Sequence, residues 1–504
     1  MLPFLLEGCF NFIHGDAYIG PENIRRQELE EDLKKSPDFV FDHVSAYKWC
    51  REIGHLPNVL VVFKPTQEQV LSRRAPEDID PRTTSYEKAL ISADAQIGRA
   101  KTRNVHIIEG GGIKDILPKL IDFLWDKDVL HRRAFSVIVK VAAHCNLGCD
   151  YCYMYKKHDN TSPLVPKTLS PEIAKQLGFR IGEYLEATKY KSTHVIFHGG
   201  EPLLLGVNQL RELHGQIKSG AGAHAEKITF AVQTNGTLLN DEMLQALDEL
   251  GFQVGISIDG PEEADNHHRK LHSGRSARSQ ILAGIKKAQE YPWKKGKFSG
   301  LLTVINPENS GRKTYEGFAA MGIKKFDFLL QDATWDNPPE KNSYDFLKEA
   351  FDAWLADTEE RKVRIFDALI GGMMADYQGS DAFGLRPPAT VCIGTDGQYE
   401  RLDVLRSSYK DAWKLPYTLM DTDIQSVLLS KESKQTWLDK YTFADECLSS
   451  RYFFVVGGGY LPHRYSSKNG FCNPSVHHAD INKFMEYAEK RVKEEFKSAP
   501  VEGK

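Results

Sequence analysis

Between residues 134 and 330 the chain alternates short apolar runs with helix-like stretches, and this alternation limits the possible folds more than any other feature. The apolar runs are rich in β-branched and aromatic residues, which is typical of buried strands. A helix start is indicated at Ser170-Pro171, since serine caps helices and proline favours their first position. Strands separated by helices pair in parallel, so the sequence predicts an α/β fold. The six predicted strands cover residues 134–142, 193–198, 227–232, 252–258, 298–305 and 325–330.

Polar or glycine-rich segments follow several of these strands directly. The second strand ends in Gly199-Gly200-Glu201, the third is followed by Asn235, and the fourth ends near Ser257. A glycine pair lets the backbone come close to a ligand, and a glutamate can accept a hydrogen bond from an ammonium group. The carboxyl ends of barrel strands are where such folds place their sites, so we expect these segments to surround one site.

Three cysteines follow the first strand at a C-x3-C-x2-C spacing, namely Cys145, Cys149 and Cys152. Thiolate is the ligand that iron–sulfur clusters require, and three thiolates can hold three irons of a cubane and leave the fourth open. A zinc site with His144 or a distant cysteine as fourth ligand is an alternative, as are three unconnected core thiols. Zinc sites usually combine two short ligand pairs, and no second pair is present, which favours the cluster.

Composition narrows the class of protein and its partners. The chain has 504 residues, enough for two to four domains, with 41% apolar and 27% charged residues and a net charge of -4. This balance predicts no nucleic-acid partner. The eight cysteines are unevenly placed, which favours metal-binding thiols in a reducing cytoplasm over a disulfide framework. The apolar stretch Met1–Leu6 is too short for a signal peptide or a membrane span, and the acidic Glu7 follows it directly. No membrane partner is therefore expected.

The cysteine loop followed by Gly-Gly-Glu-Pro resembles the radical S-adenosylmethionine (radical SAM) superfamily. The resemblance implies a partial (β/α)6 TIM-like barrel, a 4Fe-4S cluster held by Cys145, Cys149 and Cys152, and bound S-adenosyl-L-methionine (SAM). In that family the open iron binds the methionine end of SAM and, once reduced, cleaves it to a 5′-deoxyadenosyl radical. An external electron donor of the flavodoxin or ferredoxin type is therefore implied. The residues that match SAM-contacting positions of the family are Gly199, Gly200, Glu201, Asn235, Ser257 and Arg269.

Longer motifs narrow the resemblance to FxsB-type peptide maturases, which act on ribosomally made precursor peptides. Some of these enzymes form cyclophanes, in which an aromatic ring carbon is joined to the β-carbon of a neighbouring residue. The similarity extends over about residues 134 to 485 and leaves out residues 1–130. The motifs that carry it are 198–204, 233–236, 255–260, 338–339, 457–465 and 473–476.

Three domains are predicted. Residues 1–130 form an N-terminal α/β domain with strands near 58–63 and 104–108; it faintly resembles the C-terminal half of nucleoside and nucleotide kinases but lacks a phosphate loop. Residues 131–335 form the barrel, which the Trp335-Asp336-Asn337-Pro338-Pro339 segment ends. Residues 336–504 form a C-terminal domain similar to SPASM domains, with a hairpin over 391–400.

Many relatives carry auxiliary clusters in such a C-terminal domain. Here only Cys392, Cys447 and Cys472 are available, so we expect a domain that has lost its metals; a three-thiol cluster completed by His463 or by substrate is the alternative. Candidate catalytic bases are Asp332, Asp396 and Asp403. Two other functions stay open at this point, a radical SAM enzyme acting on a nucleotide or other small molecule, and a non-catalytic iron–sulfur or zinc interaction protein.

Overall fold

A computed structural model of the chain describes residues 136–157, 164–188, 190–373, 380–385 and 390–498, together with four short strands nearer the N-terminus. The chain divides into two compact units, Met1–Arg133 and Ala134–Lys504. In the first unit two parallel strand pairs are described. The strands predicted near residues 58–63 and 104–108 are confirmed as one of these pairs, whereas the helices predicted beside them lie outside the described residues. The pairs are β1 (Asn11–Ile13) with β2 (Phe39–Phe41) and β3 (Leu60–Lys64) with β4 (Val105–Glu109).

The second unit is built on a ten-stranded sheet. Six parallel strands lie side by side in chain order, which confirms all six predicted strands and the α/β barrel architecture. They are β5 (Ser136–Ala142), β6 (Thr193–Gly199), β7 (Ile228–Thr234), β8 (Phe252–Ser257), β9 (Lys297–Val304) and β10 (Lys325–Leu329).

Four further strands extend both edges of this parallel array. Strand β11 (Lys362–Val363) pairs in parallel with β10, and β12 (Thr390–Ile393) pairs in parallel with β5. Antiparallel pairing then adds β13 (Gln398–Glu400) and β14 (Lys414–Thr418). The predicted hairpin is confirmed: Gly397 has φ +80° in the turn between β12 and β13, a conformation that glycine adopts without strain.

Helices follow most of the parallel strands, as a barrel requires. The predicted helix start is confirmed, because the Ser170 hydroxyl accepts a hydrogen bond from the Ile173 amide at 3.3 Å directly ahead of the first described helix. The helices are α1 (Pro171–Thr188), α2 (Gly206–Ala221), α3 (Asp241–Glu249), α4 (Arg278–Glu290), α5 (Gly311–Ala320), α6 (Tyr344–Ala356), α7 (Arg364–Met373), α8 (Ile424–Leu428), α9 (Lys431–Tyr441), α10 (Asp445–Ser449), α11 (Phe453–Val456) and α12 (His478–Ser498).

One contiguous apolar core holds the sheet and its helices together. Alternate side chains of β5 and β8 are completely buried in it, among them Val137, Val139, Phe252 and Val254. Each such side chain contributes roughly 1.5–3 kcal/mol through burial. Among the described residues no helix combines the length and the apolar character that crossing a membrane requires.

A buried ion network joins the barrel to the C-terminal hairpin. The Lys140 ammonium on β5 pairs with Glu400 on β13, and the Arg406 guanidinium pairs with the other oxygen of Glu400 at 2.8 Å. All three side chains are at most 4% exposed, and the Arg406 guanidinium also lies 3.5 Å from the centroid of the Trp413 ring. Charged groups so deeply buried are tolerated because each has a partner of opposite charge.

Candidate active site

A cavity of about 600 Å³ lies at the carboxyl ends of the six parallel strands. This volume is in the range of small-molecule and cofactor sites. The end of every strand of the barrel contributes to it, as expected for this architecture. Its lining includes the three clustered cysteines, the glycine pair after β6, Thr234, Asn235, Ser257, Arg269, Asn306, Gln331 and Asp332, and its outer wall is formed by residues 337–341.

The cysteine loop leaves β5 and places three thiols on this cavity. Cys145, Cys149 and Cys152 are each partly buried. Burial raises the pKa of the Cys145 thiol to about 12 and that of Cys149 to about 11. Thiolate is the metal-binding form, and the positive charge of a bound metal centre favours it.

The glycine pair after β6 is required by the packing of the cysteine loop. Gly199 has φ +120°, and a β-carbon there would lie 2.2 Å from the carbonyl oxygen of Ala142. A β-carbon on Gly200 would lie 2.2 Å from both the His144 carbonyl oxygen and the Tyr155 hydroxyl. Any side chain at either position would therefore push the cysteine loop away from the strand ends.

Glu201 is not a cavity residue in this structure, which differs from the expectation that its side chain meets an ammonium group. The side chain is completely buried and accepts hydrogen bonds from the Thr234 hydroxyl at 2.6 Å and the amides of Asn235 and Leu203 at 2.7 and 3.0 Å. Burial raises the pKa of Glu201 despite these donors. The carboxyl group ties the end of β6 to the end of β7, and the glycine pair beside it forms the cavity wall.

Asn235 and Ser257 do line the cavity. The Asn235 amide donates to the side-chain oxygen of Asn146 at 2.8 Å, so the end of β7 holds the cysteine loop in place. The Ser257 hydroxyl accepts a hydrogen bond from the Gln233 amide at 2.8 Å and lies one strand further along. Both are positioned at strand ends as the sequence predicts, and their roles toward SAM stay predictions.

Arg269 reaches the cavity wall as part of a buried trio that the sequence did not reveal. Its guanidinium donates to Asp259 at 2.9 Å, and the Tyr151 hydroxyl donates to the same carboxylate at 2.6 Å. Burial alone would lower the pKa of Arg269, but Asp259 raises it overall, so the guanidinium stays charged. Asp259 follows β8 in an Asp-Gly pair that resembles an ordinary turn, which is why its role as partner was missed.

The structure places the three candidate bases in different surroundings. Asp332 lines the cavity, and its carboxylate lies 3.7 Å from Nε2 of the buried His463. Asp396 lies in the hairpin turn, where its side chain accepts from the Gln398 amide at 3.1 Å, and it faces a separate small pocket. Asp403 is buried behind the cavity wall, with the Tyr153 hydroxyl donating to it at 2.6 Å.

A buried arginine lies beside two of the C-terminal thiols. The Arg464 guanidinium is completely buried and donates to the carbonyl oxygens of Asn473, Lys440 and Thr442. Burial lowers its pKa to about 10, and the thiols of Cys447 and Cys472 are near enough to act in the opposite direction. In the part of the chain that the structure describes, no three His, Cys, Asp or Glu side chains converge on a metal-ion position.

The residues around the cavity fit an iron–sulfur cluster and a polar organic cofactor. Three thiols line one cavity, which is the ligand set that holds three irons of a cubane. Three buried polar atoms on the cavity wall also have no hydrogen-bond partner within the described chain, which suits a polar ligand. They are Tyr155 Oη, His198 Nδ1 and Asn306 Nδ2.

A parallel barrel with a three-thiol loop and a cofactor-sized cavity at its strand ends is the arrangement of an iron–sulfur enzyme built on an α/β barrel. Comparison with known proteins agrees. Residues 139–314 match the family model described as the radical SAM superfamily. The cysteine-type anaerobic sulfatase-maturating enzyme of Clostridium perfringens is 25% identical over 373 residues, which cover 71% of this chain and 97% of that protein.

Two solved structures share this fold. Native anSMEcpe with bound AdoMet superposes with a TM-score of 0.62 at 23% identity, covering 72% of this chain and 99% of the other. The same protein with bound AdoMet and the Cp18Cys peptide gives a TM-score of 0.61 at 22% identity, covering 72% and 98%. Residues 139–314 therefore form a radical SAM domain, the chain is an enzyme, and its cofactors are a 4Fe-4S cluster and SAM.

Proposed function

We propose that the chain modifies a ribosomally synthesised precursor peptide by joining an aromatic ring carbon to the β-carbon of a nearby residue. The observation that carries this proposal is the extent of the cavity, which runs from the partly buried thiols to the exposed side chains of Glu308 and Lys341. At the mouth Glu308 and Lys341 form an ion pair at 2.7 Å with both side chains about 60% exposed. A peptide segment can enter such a mouth while the rest of its chain stays in solvent.

The known relatives support a peptide substrate. The relative from Clostridium perfringens matures sulfatases, which are proteins, and the solved structure of anSMEcpe holds a peptide beside AdoMet. The motifs shared with FxsB-type maturases support the cyclophane-forming type in particular.

In this proposal Cys145, Cys149 and Cys152 hold the cluster, while Asn235, Ser257 and Arg269 orient SAM from the cavity wall. With these groups bound, the site supplies a 5′-deoxyadenosyl radical. The partly buried thiols and strand ends form the inner part of the cavity, which limits the access of water to that radical. The Asp259 carboxylate fixes the Arg269 fork, so this side chain loses little freedom when it meets the SAM carboxylate.

The crosslink balances without a further oxidant. The peptide loses one hydrogen atom from a β-carbon to the 5′-deoxyadenosyl group and one proton from the aromatic ring, and a carbon–carbon bond forms. The two electrons removed from the peptide are accepted overall in the cleavage of SAM to methionine and 5′-deoxyadenosine. The proton requires a base at the cavity wall.

We assign this base to Asp332. Of the three candidates it is the one that lines the cavity, whereas Asp396 is held in a turn and Asp403 lies behind Tyr153. Among the described residues neither ring nitrogen of His463 has a hydrogen-bond partner, and at 3.7 Å the contact with Asp332 is longer than a hydrogen bond. A small shift on substrate binding would let the imidazole orient this carboxylate.

The test is anaerobic co-expression of the chain with the short open reading frame beside its gene, followed by mass analysis of the peptide. We expect the mass of two hydrogens to be lost per crosslink, with fragmentation absent between the joined residues. Cys149→Ala should give unmodified peptide, because the cluster needs all three thiols. Cys472→Ala is the matched control, since it removes an exposed thiol outside the cysteine loop and should retain the product.

Two results would contradict the proposal. A peptide that changes mass but still fragments between every pair of residues would indicate oxidation of one side chain instead of a crosslink. An unmodified peptide together with SAM cleavage that responds to a nucleoside would move the substrate to the small-molecule class.

A further inference from the structure

A second cavity, of about 520 Å³, adjoins the cysteine loop and contains none of the strand-end residues that surround the first. Cys145, Cys149 and Cys152 line both cavities, so the loop forms a thin wall between them. The remaining lining residues are Ala143, His144, Leu147, Gly148, Tyr155, Lys156, Val165, Lys167 and His272.

This second cavity is basic, although the chain as a whole carries a net charge of -4. Its described lining contains two lysines and two histidines and no carboxylate. Lys156 and Lys167 are exposed, and neither ammonium has an acidic partner among the described residues. The acidic residue of the cysteine loop, Asp150, lines the other cavity instead, where it is paired with Lys270 at 2.9 Å.

The two histidines are fixed at this surface by the backbone of the loop. His272 donates from Nε2 to the carbonyl oxygen of Cys145 at 2.9 Å, and Nδ1 of His144 lies 3.2 Å from the carbonyl oxygen of Lys167. Backbone hydrogen bonds place the two lysines beside them, from the Lys156 amide to the Cys152 carbonyl oxygen and from the Ala143 amide to the Lys167 carbonyl oxygen, both at 2.8 Å. We call the surface formed by His144, Lys156, Lys167 and His272 the basic face.

We propose that the basic face is the docking site of an acidic one-electron carrier protein of the flavodoxin or ferredoxin type. The cluster of this superfamily must be reduced before SAM is cleaved, and the reacting molecules occupy the first cavity. A carrier on the basic face would be separated from the cluster by the cysteine loop alone. It is oxidised by one electron, and the cluster held by the three thiols is reduced by one.

Charge complementarity supports this occupant. Opposite surface charges raise the rate of encounter and suppress wrong partners, and the effect weakens as salt screens it. Lys156 and Lys167 are exposed and have no acidic partner among the described residues, so their ammonium groups can meet carboxylates of a partner protein. The proposal depends on the family cofactor and not on the identity of the peptide.

The test uses the full-length holoenzyme without peptide. The double variant Lys156→Glu/Lys167→Glu is compared with Lys313→Glu, a charge reversal at an exposed position of α5. Binding of a reduced bacterial flavodoxin and of a reduced 2Fe-2S ferredoxin is measured by titration at low and high salt. We expect the double variant to bind the preferred carrier about tenfold or more weakly at low salt. Lys313→Glu should bind within about twofold of wild type.

The second readout separates docking from damage to the site. Formation of 5′-deoxyadenosine is measured with each carrier and with dithionite, and iron content is measured for each variant. We expect the double variant to lose rate with the carrier and to keep it with dithionite at unchanged iron content. If the double variant loses iron, the double variant Lys156→Gln/Lys167→Gln is used in its place. Glutamine removes the positive charge of each lysine without introducing a negative one.

Three outcomes would overturn the proposal. One is wild-type affinity of the double variant for both carriers, and another is an equal loss in Lys313→Glu. The third is a wild-type enzyme that binds neither carrier even at low salt.

Discussion

Two aspartates close to the cavity differ in what surrounds them. Asp403 is 6% exposed, and although burial alone would raise its pKa, the nearby Lys140 and His198 together with the Tyr153 hydroxyl lower it overall. A carboxylate held as an anion by its neighbours is a weak proton acceptor. The side chain of Asp332 is 25% exposed and lines the cavity, and its carboxylate lies 3.7 Å from Nε2 of His463. At the scale of single residues, Asp332 is therefore placed to accept a proton from a substrate, whereas Asp403 is a buried structural anion.

We predict that Asp332→Asn lowers the yield of crosslinked peptide about 100-fold or more, because a general base contributes 10²–10⁴-fold. Formation of 5′-deoxyadenosine should persist, since cleavage of SAM needs no base. Asp403→Asn, which keeps an acceptor for the Tyr153 hydroxyl, should retain most of the product. Quantitative mass spectrometry of peptide and 5′-deoxyadenosine checks both. If Asp403→Asn lost the crosslinked peptide and Asp332→Asn retained it, the base would be Asp403, with the Tyr153 hydroxyl between it and the cavity.

At the scale of elements, the C-terminal hairpin is held on the barrel by parallel pairing of β12 with β5 and by the buried ion network. Lys140 belongs to β5, two residues before the strand ends, and Glu400 belongs to β13. The cysteine loop starts where β5 ends. Because the hairpin strand β12 pairs with β5, the hairpin stabilises the strand from which the loop leaves. Asp403, three positions after Glu400, accepts a hydrogen bond from the Tyr153 hydroxyl and so connects the hairpin to the loop.

We predict that Glu400→Gln lowers the free energy of unfolding by about 3–5 kcal/mol, since it removes the negative charge that pairs with the two buried cations Lys140 and Arg406. Urea unfolding of the anaerobic protein, followed by circular dichroism, measures the change. Glu290→Gln is the control, because Glu290 forms an exposed pair with Lys286 at 3.8 Å and should change stability by less than about 1 kcal/mol. A Glu400 variant as stable as wild type would show that the hairpin stays attached without the network.

At the scale of the whole molecule, the cofactor content depends on which cysteines can share a metal centre. Three thiols meet at the strand ends, whereas Cys447 and Cys472 lie beside the buried guanidinium of Arg464 and Cys392 is buried in β12. A cation bonded to three carbonyl oxygens fills space near those thiols and disfavours a metal ion there. We therefore expect one cluster per chain and no auxiliary cluster.

We predict about four irons per chain after anaerobic reconstitution, the content of a single cubane. Iron and sulfide analysis should give nearly none for Cys149→Ala and the wild-type value for Cys472→Ala. A wild-type content near eight irons per chain, falling to about four in the Cys472 variant, would establish an auxiliary cluster in the C-terminal domain.

The predicted domain limits at residues 130 and 335 stay predictions.

The sequence by itself determined the elements and the cofactor. The strands of the barrel, the hairpin turn at Asp396-Gly397 and the helix start at Ser170 follow from local patterns, and neighbours in the chain decide them. The C-x3-C-x2-C loop predicted an iron–sulfur cluster for a similar reason, because three ligands close in sequence need no distant partner.

Only the tertiary structure decided which side chains face the cavity. The Glu201 side chain is enclosed by the end of β7, and Asp259 pairs with Arg269 although its Asp-Gly context is typical of a turn. His463 lies beside Asp332 although 131 residues separate them in the chain. Such pairings depend on how strand ends from distant parts of the chain meet, and side-chain burial there is settled by packing, which no local pattern specifies.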